Sequence, residues 1–182
     1  TVIMFFYLIN NFIIYFSDNT VFNNIESYVY IDIDDNIDSL AVNLSPLIKS
    51  TNNFLKVAKT KGYINNIKPG KYKIEKGSSN NEIVNNLRIN KLTVNVVFNN
   101  QERLEDFALR ISKQIMVDSL SLIKSFLDPE FLNQKGFDSL NALTMYIPNT
   151  YQLYWNLTAD AFRDRMLKEY HSFWNSSRLS KA

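Results

Sequence analysis

The chain has 182 residues, of which 46% are hydrophobic and 21% are charged, a composition typical of a folded protein. Its formal net charge of +2 is too small to indicate a nucleic-acid partner. The absence of cysteine excludes a disulfide framework, a zinc–thiolate site and a thiol nucleophile.

The first segment, residues 2–16, is almost continuously apolar and is interrupted only by Asn10 and Asn11. As a helix, about 15 residues rise roughly 22 Å, which is less than the ~30 Å hydrocarbon core of a bilayer. The chain opens on Thr1 and not on methionine, and we expect upstream residues to complete the span. We therefore predict a single membrane anchor over residues 1–22, with a cleaved signal-peptide core or a buried helix or strand as alternatives.

The next segment predicts a strand followed by two helices. Residues 28–34 alternate between apolar and polar side chains and are rich in β-forming residues, which indicates a strand. Asp35 and Asn36 are suited to cap a helix that carries Ile37 and Leu40 on one face. After Pro46, a second helix is predicted from the spacing of its apolar residues, Phe54, Leu55, Val57 and Ala58.

A turn, a second strand and a further helix follow. Pro69 and Gly70 are a turn signal, and residues 71–75 then predict a short strand. Ser79 and Glu82 have the spacing of a capping box, in which each side chain bonds the other residue's backbone N–H. Residues 28–90 are therefore predicted to form a β-α-α-β module with an added helix.

From residue 92 the pattern predicts one strand and several helices. Residues 92–98 alternate as a strand, and the helix after it has one apolar face, formed by Leu104, Phe107, Ala108, Ile111 and Ile115. Asp118 is suited to cap a helix over residues 120–127, which Asp128-Pro129 ends. Thr158 is predicted to cap the last helix, with an apolar stripe of Phe162, Met166, Tyr170 and Phe173.

Four short motifs follow one another behind the apolar segment: Gly62-Tyr63, Pro69-Gly70-Lys71-Tyr72, Gly77-Ser78-Ser79 and Pro148-Asn149-Thr150-Tyr151. In this order they resemble the MltG/YceG-like family, the membrane-anchored endolytic murein transglycosylases of bacteria. The first three resemble the family's LysM-like module. The last, followed by Thr158 and its helix, resembles the entry into the family's catalytic domain.

The resemblance implies an α+β fold with three parts. These are a membrane helix (1–22), a LysM-like peptidoglycan-binding module (28–90) and the first part of a mixed α/β transglycosylase domain (92–182). It also implies an enzyme of the bacterial inner membrane, with the bulk of the chain in the periplasm. Such an enzyme cleaves nascent glycan strands to 1,6-anhydromuramyl ends and helps to terminate their polymerisation. The expected partners are peptidoglycan glycan strands, the membrane and cell-wall synthases, and neither a metal nor an organic cofactor is implied.

The chain departs from the family pattern at three places. Asn100-Gln101 and Leu143-Thr144 stand where family members carry Glu-Gly pairs. The resemblance further implies that the catalytic glutamate lies in a helix beyond Ala182. We therefore expect this chain to be a fragment without a catalytic residue.

The chemistry of a lytic transglycosylase needs one carboxylic acid. That group protonates the leaving oxygen and then takes a proton from the C6 hydroxyl of the same sugar, which closes an anhydro ring. Ordinary glycosidases need a second carboxylate. Two glutamates, Glu82 and Glu105, lie at helix starts and are expected to cap. Three more lie in polar surroundings and are expected at the surface: Glu102, Glu130 and Glu169.

Four residues near the Pro-Asn-Thr motif are the predicted substrate-binding residues: Asn149, Tyr151, Tyr154 and Trp155. Their rings could stack on sugar faces. For Tyr151 and Trp155 a place in the core is an equal alternative, and for Tyr146 and Leu153 the core is expected. Asn149 is predicted to form an Asx turn with the backbone two residues further on.

Two other features have plainer interpretations. His171 is the only histidine, so it cannot build a metal site alone, and a surface role is expected. Lys68, Lys71 and Lys73 could meet acidic peptide stems, but a solvated edge strand is the commoner meaning of such lysines. The alternative to an enzyme is a membrane-tethered peptidoglycan-binding or scaffold protein without catalysis.

Overall fold

The computed structural model describes residues 2–180 and has a mixed α+β fold, as predicted. The chain divides into two compact units, Thr1–Leu92 and Thr93–Ala182. Four antiparallel strands have the order β1-β2-β3-β4. Strand β3 (Lys91–Phe98) crosses the unit boundary, because Lys91 and Leu92 pair with β2 and its other six residues pair with β4.

The first unit follows the predicted element order after its N-terminal helix. Its helices and strands are α1 (Val2–Phe16), β1 (Glu26–Ile31), α2 (Ile37–Leu44), α3 (Thr51–Thr60), β2 (Gly70–Glu75) and α4 (Asn80–Ile89). A 3-10 turn, Tyr63–Asn65, lies between α3 and β2. Gly62 precedes it with a φ of 66°, in the left-handed region that glycine enters without strain.

The predicted helix caps of this unit are confirmed. The Asn36 side chain accepts hydrogen bonds from the backbone N–H groups of Asp38 and Ser39 at the start of α2. At the start of α4, the Ser79 hydroxyl accepts from the Glu82 N–H, and the Glu82 carboxylate accepts from the Ser79 N–H at 2.8 Å. Local side-chain chemistry therefore fixes where both helices begin.

Strands β1 and β2 alternate, so that one face is buried and the other faces solvent. The buried residues are Val29, Ile31, Tyr72 and Ile74, and they pack with apolar residues of α2, α3 and α4. On the other face, the Lys71 Nζ lies 4.1 Å from the centroid of the Tyr28 ring, and Lys73 pairs with Glu75 at 2.7 Å. Because Lys71 pairs with Leu92 of β3 as well as with Tyr30 of β1, the predicted edge position is wrong for Lys71. The pairing with β3 includes only Lys71 and Tyr72, so it does not contradict the prediction for Lys73.

The N-terminal segment is helical, and most of its apolar side chains are exposed. The large exposed ones are Val2, Ile3, Met4, Phe5, Phe6, Tyr7, Leu8, Ile9, Phe12, Ile13 and Phe16. Ile14 alone among the described residues of α1 is buried, in the core of the first unit. None of the helices within residues 2–180 has the length and apolar character needed to cross a membrane.

The second unit is mostly helical. After β3 it contains α5 (Leu104–Ser112), α6 (Ser119–Phe126), α7 (Pro129–Lys135), a 3-10 turn (Ala142–Met145), β4 (Asn149–Tyr154), α8 (Ala159–Phe173) and α9 (Ser176–Leu179). Asp118 and Thr158 cap α6 and α8 through their side chains, as predicted. Asp128 caps α7, and Pro129 occupies the first turn of that helix.

The stretch that begins at Asn149, where the sequence predicted a turn, is mainly a strand. From Asn149, which pairs with Phe98, to Tyr154, which pairs with Thr93, it forms an antiparallel ladder with β3. Its strand character depends on that partner, which local turn signals do not reveal.

The side chain of Gln114, just after α5, hydrogen-bonds to the backbone of Val97 in β3. Its Oε1 accepts from the Val97 N–H at 2.8 Å, and its Nε2 donates to the Val97 carbonyl at 3.0 Å.

Aromatic rings fill the centre of this unit. The Tyr146 ring lies 4.6 Å from that of Phe107 and 4.7 Å from that of Phe126, centroid to centroid, and all three are buried. Tyr146 and Leu153 are therefore core residues, as expected. The core also includes Phe98 and Phe162, which connect β3 and α8 to the same cluster.

Candidate functional site

Two adjoining cavities lie along β4 and α8 in the second unit. One has a volume of about 570 Å³ and is lined by Asn95, Asn149, Thr150, Tyr151, Gln152, Arg165 and Glu169. The other, of about 310 Å³, shares Asn149, Tyr151 and Glu169 and adds Ile147, Pro148, Ser172, Phe173 and Arg178. We call the residues around these two cavities the β4–α8 groove.

Asn149 lies at the start of β4 with its side chain exposed. Its Oδ1 accepts from the Thr150 N–H at 2.8 Å, so the predicted bond to the backbone two residues further on is wrong. The strand geometry that begins at Asn149 replaces the expected Asx turn. Within residues 2–180 its Nδ2 has no hydrogen-bond acceptor, which leaves two N–H groups available in the groove.

Tyr151 has its ring in the core and reaches the groove only in part. Its side chain is 5% exposed, and its ring stacks on Phe98 with a centroid distance of 5.5 Å. The hydroxyl donates to the Ile147 carbonyl at 2.5 Å. Burial raises the pKa of Tyr151, and the negative charge of Glu169 raises it further, so the hydroxyl is a neutral donor.

The other two predicted substrate-binding residues lie away from this groove. Tyr154 is 48% exposed and points to the opposite side of β4 from Tyr151, because side chains alternate along a strand. Trp155 is half-buried, and its carbonyl accepts from the Met116 N–H at 2.9 Å. The structure thus brings Asn149 and Tyr151 together and separates them from Tyr154 and Trp155.

The sequence did not single out Arg165 and Glu169 as groove residues. The Arg165 Nη2 lies 2.7 Å from the Glu169 Oε1, one helical turn further along α8, and the Glu169 side chain is 30% exposed. Because Phe162 and Met166 point into the core, Arg165 and Glu169 fall on the flank of the helix beside β4. Their i,i+4 spacing next to that apolar stripe was the available signal. The groove therefore combines an ion pair, a free amide and an aromatic edge.

A comparison with models of protein families shows to which family the chain belongs. Residues 29–182 match the model of the YceG-like family. The chain belongs to the YceG-like family. Membership implies a role of the murein transglycosylase type at the family level, connected with peptidoglycan, and the family is generally membrane-associated.

Two further comparisons are less specific. None of the curated proteins searched matches this YceG-like chain. Among solved structures it is similar to a yceG-like protein from Listeria monocytogenes, with 17% sequence identity and a TM-score of 0.45. That similarity covers 86% of this chain and 58% of the Listeria chain.

Four carboxyl groups of this YceG-like chain have lowered pKa values. The Lys49 side chain and the Thr20 N–H lower the pKa of Asp18 to about 2, and hydrogen bonds from Ser79 lower the pKa of Glu82. Hydrogen bonds also lower the pKa values of Glu105 and Asp118. A general acid needs a raised pKa, so none of these four groups is suited to protonate a leaving oxygen.

No cluster of three or more His, Cys, Asp or Glu residues within residues 2–180 could hold a metal ion. His171 is exposed on α8.

Another polar cavity, of about 720 Å³, lies in the first unit beside α4 and β2. We call it the α4 cleft, and its polar lining consists of Lys73, Glu75, Ser78, Glu82, Asn85, Asn86, Asn90 and Lys91. Asn86 donates to the Lys73 carbonyl, and the Asn85 Oδ1 accepts from the Lys61 Nζ. These bonds orient two amides and leave the Asn86 Oδ1 and the Asn85 Nδ2 without partners in residues 2–180.

Proposed function

We propose that this chain is the anchored, glycan-binding part of an endolytic lytic transglycosylase. The whole enzyme would cleave nascent peptidoglycan strands to 1,6-anhydromuramyl ends and so terminate their polymerisation. The family match over residues 29–182 is the observation that carries the proposal. We further propose an inner-membrane location, with α1 in the bilayer, the two units in the periplasm, and cell-wall synthases as partners.

The reaction needs one carboxylic acid with a raised pKa, and an intramolecular sugar hydroxyl replaces water as the nucleophile. The four described carboxyl groups with shifted pKa values are all shifted downward. The proposal that the acid belongs to a part of the whole protein outside this chain rests on the family resemblance. Residues of the chain bind and position the glycan.

In the β4–α8 groove, we assign the binding to polar groups that can meet sugar hydroxyls. The Asn149 Nδ2 supplies two donors, and Glu169 accepts hydrogen bonds at the oxygen that Arg165 does not bind. Arg165 also supplies a positive charge for the carboxylates of muramyl units or peptide stems. Tyr154, on the other side of β4, and Trp155, just after the strand, are proposed as a separate contact.

The test uses the whole protein and uncrosslinked glycan strands, with anhydromuramyl ends measured by mass spectrometry. We expect such ends from the unsubstituted protein and fewer from the Asn149→Ala and Glu169→Gln variants. The matched control is Gln134→Ala, because Gln134 is exposed on α7 and outside the groove. A folded whole protein that produces no anhydromuramyl ends would refute the enzymatic proposal.

A second candidate function is a peptidoglycan-binding or scaffold protein without catalysis. It is favoured by the α4 cleft, whose free amide donor and acceptor suit the acetamido groups and hydroxyls of a glycan. The 182-residue chain would then be retained on isolated sacculi at low salt, and Asn86→Ala would reduce that retention. Retention combined with no product from the whole protein would favour this second function.

A further inference from the structure

The end of α1 is built into the first unit, although most of the helix is exposed. Ile14 is 8% exposed and belongs to the core of the unit, and Tyr15 packs against the same core. Between Phe16 and the buried residue Asn19 there are only two residues, Ser17 and Asp18. A connection of two residues is too short to act as a flexible linker.

Asn80 holds the last turn of α1. This residue is 2% exposed, and its Nδ2 donates to the Ile14 carbonyl at 2.8 Å. Carbonyl groups in the last turn of a helix have no partner within the helix, and Asn80 supplies one from 66 residues further along the chain. Asn80 is also the first residue of α4, so α1 and α4 share a direct polar contact.

Asn19 joins this contact to two loops. It is 4% exposed, and its Nδ2 donates to the Asn80 Oδ1 at 2.6 Å. Its Oδ1 accepts from the Ser50 N–H at 2.9 Å, while its own N–H donates to the Ser78 carbonyl at 2.9 Å. One buried amide thus connects the exit of α1 to the loop before α3 and to the loop before α4.

The residues on either side of Asn19 make further contacts between the end of α1 and the rest of the first unit, a region that we call the junction. Asp18 pairs with Lys49 at 2.6 Å, and the Thr20 hydroxyl accepts from the Gly77 N–H at 2.8 Å. Removal of a buried amide leaves several partner groups without hydrogen bonds, so such a network is rigid as long as it is complete.

We propose that α1 and the rest of the first unit are one rigid body, with Asn19 and Asn80 as its positioning residues. A bilayer that accommodates the apolar surface of α1 therefore also sets the orientation of the first unit and of the α4 cleft. The bilayer as the occupant rests on the proposed function and on the chemistry of α1, whose sequence has no charged residue and whose exposed side chains are mostly apolar. The rigidity of the junction rests on the hydrogen bonds alone.

Distance measurements between two spin labels test the rigidity. The chain contains no cysteine, so Ile3→Cys on α1 and Lys56→Cys on α3, both exposed, introduce the only labelling sites. We expect a narrow distance distribution for the 182-residue chain in phosphatidylethanolamine–phosphatidylglycerol nanodiscs. Asn80→Ala should widen it severalfold, because the α1 carbonyl and Asn19 both lose their partner.

The control is Asn85→Ala, since Asn85 lies on the same helix but outside the network. Its distribution should stay narrow, and circular dichroism checks that each variant is folded. A broad distribution in the unsubstituted chain would overturn the rigid junction regardless of how the variants fold. Vesicle flotation tests the anchor separately: a chain that does not float would refute the bilayer as the occupant, whatever the distance distribution.

Discussion

Replacement of Arg163 by alanine should destabilise the second unit. The side chain is 8% exposed, and its Nη1 donates to the Ser125 carbonyl at 3.1 Å. The guanidinium lies 3.6 Å from the centroid of the Phe131 ring and within 3.4 Å of three carboxylates, those of Asp128, Asp160 and Asp164. Arg163 thus connects α6, α7 and α8.

The size of the effect follows from these contacts. The hydrogen bond from a charged group to a buried carbonyl contributes about 1.5 kcal/mol, and the contact with the Phe131 ring about 1 kcal/mol. The three carboxylate side chains are between 42% and 70% exposed, so each ion pair contributes less than about 1 kcal/mol. We expect Arg163→Ala to lower the free energy of unfolding by about 2–3 kcal/mol.

Urea unfolding followed by tryptophan fluorescence measures this change, because Trp155 and Trp174 both lie in the second unit and are the only tryptophans. The matched control is Arg165→Ala, two residues away on α8. Arg165 is 45% exposed and makes one i,i+4 pair, so its loss should cost less than about 0.5 kcal/mol. Equal unfolding midpoints for the two variants would refute a stabilising role for the buried guanidinium.

Three further predictions concern the backbone, the pH dependence and the groove. Gly62→Ala should destabilise the first unit by about 1 kcal/mol, because alanine is strained at the positive φ of this position. Gly62→Asn should cost less, because asparagine adopts the left-handed conformation more readily. Urea unfolding followed by circular dichroism measures both, and equal losses of unfolding free energy would contradict this reasoning. The pKa of Asp18 is lowered from 3.8 to about 2, so its contribution to stability is complete above pH 3.8 and is lost as the pH falls toward 2. Asp18→Asn should flatten the fall of the unfolding free energy in that range, and an unchanged slope would contradict the assignment. Asn149→Ala should reduce retention of the chain on sacculi, whereas an unchanged bound fraction would exclude a binding contribution from its amide.

Much of the helical structure could be predicted because its signals are local. Asn36, Ser79, Asp118 and Thr158 each bond backbone N–H groups within three residues, so their positions in the sequence mark the helix starts directly. The alternation of β3 is equally local. The turn predicted at Pro69-Gly70 is not seen at Gly70, which is the first residue of β2 and pairs with Ile31.

The features that could not be predicted depend on distant partners. Strand β4 forms because its residues pair with β3, more than 50 residues earlier. Asn19 and Asn80 are 61 residues apart, and the hydrophobic pattern treats both as ordinary polar residues. Arg163 has charged neighbours on its own helix, but the Asp128 carboxylate and the Phe131 ring become its neighbours only after folding.

In the candidate site, too, features with local signals could be predicted and features that depend on distant packing could not. Asn149 and Tyr151 were predicted from a motif and do border the β4–α8 groove, whereas the motif gave no information on which side of a strand Tyr154 would point. Glu169 was predicted at the surface from its polar surroundings in sequence. Its position in the groove follows from the packing of α8, which places the flank of that helix beside β4.

The two hydrogen bonds between Gln114 and Val97 have a consequence for solubility. The Gln114 amide binds Val97 through one donor and one acceptor, the same pair that the backbone of an adjacent strand would present. The N–H and the carbonyl of Val97 are therefore already hydrogen-bonded when a strand from another copy of the protein approaches β3. Gln114 acts as a local stop against edge-to-edge aggregation, and its role is protective even though it contributes neither to the core nor to the groove.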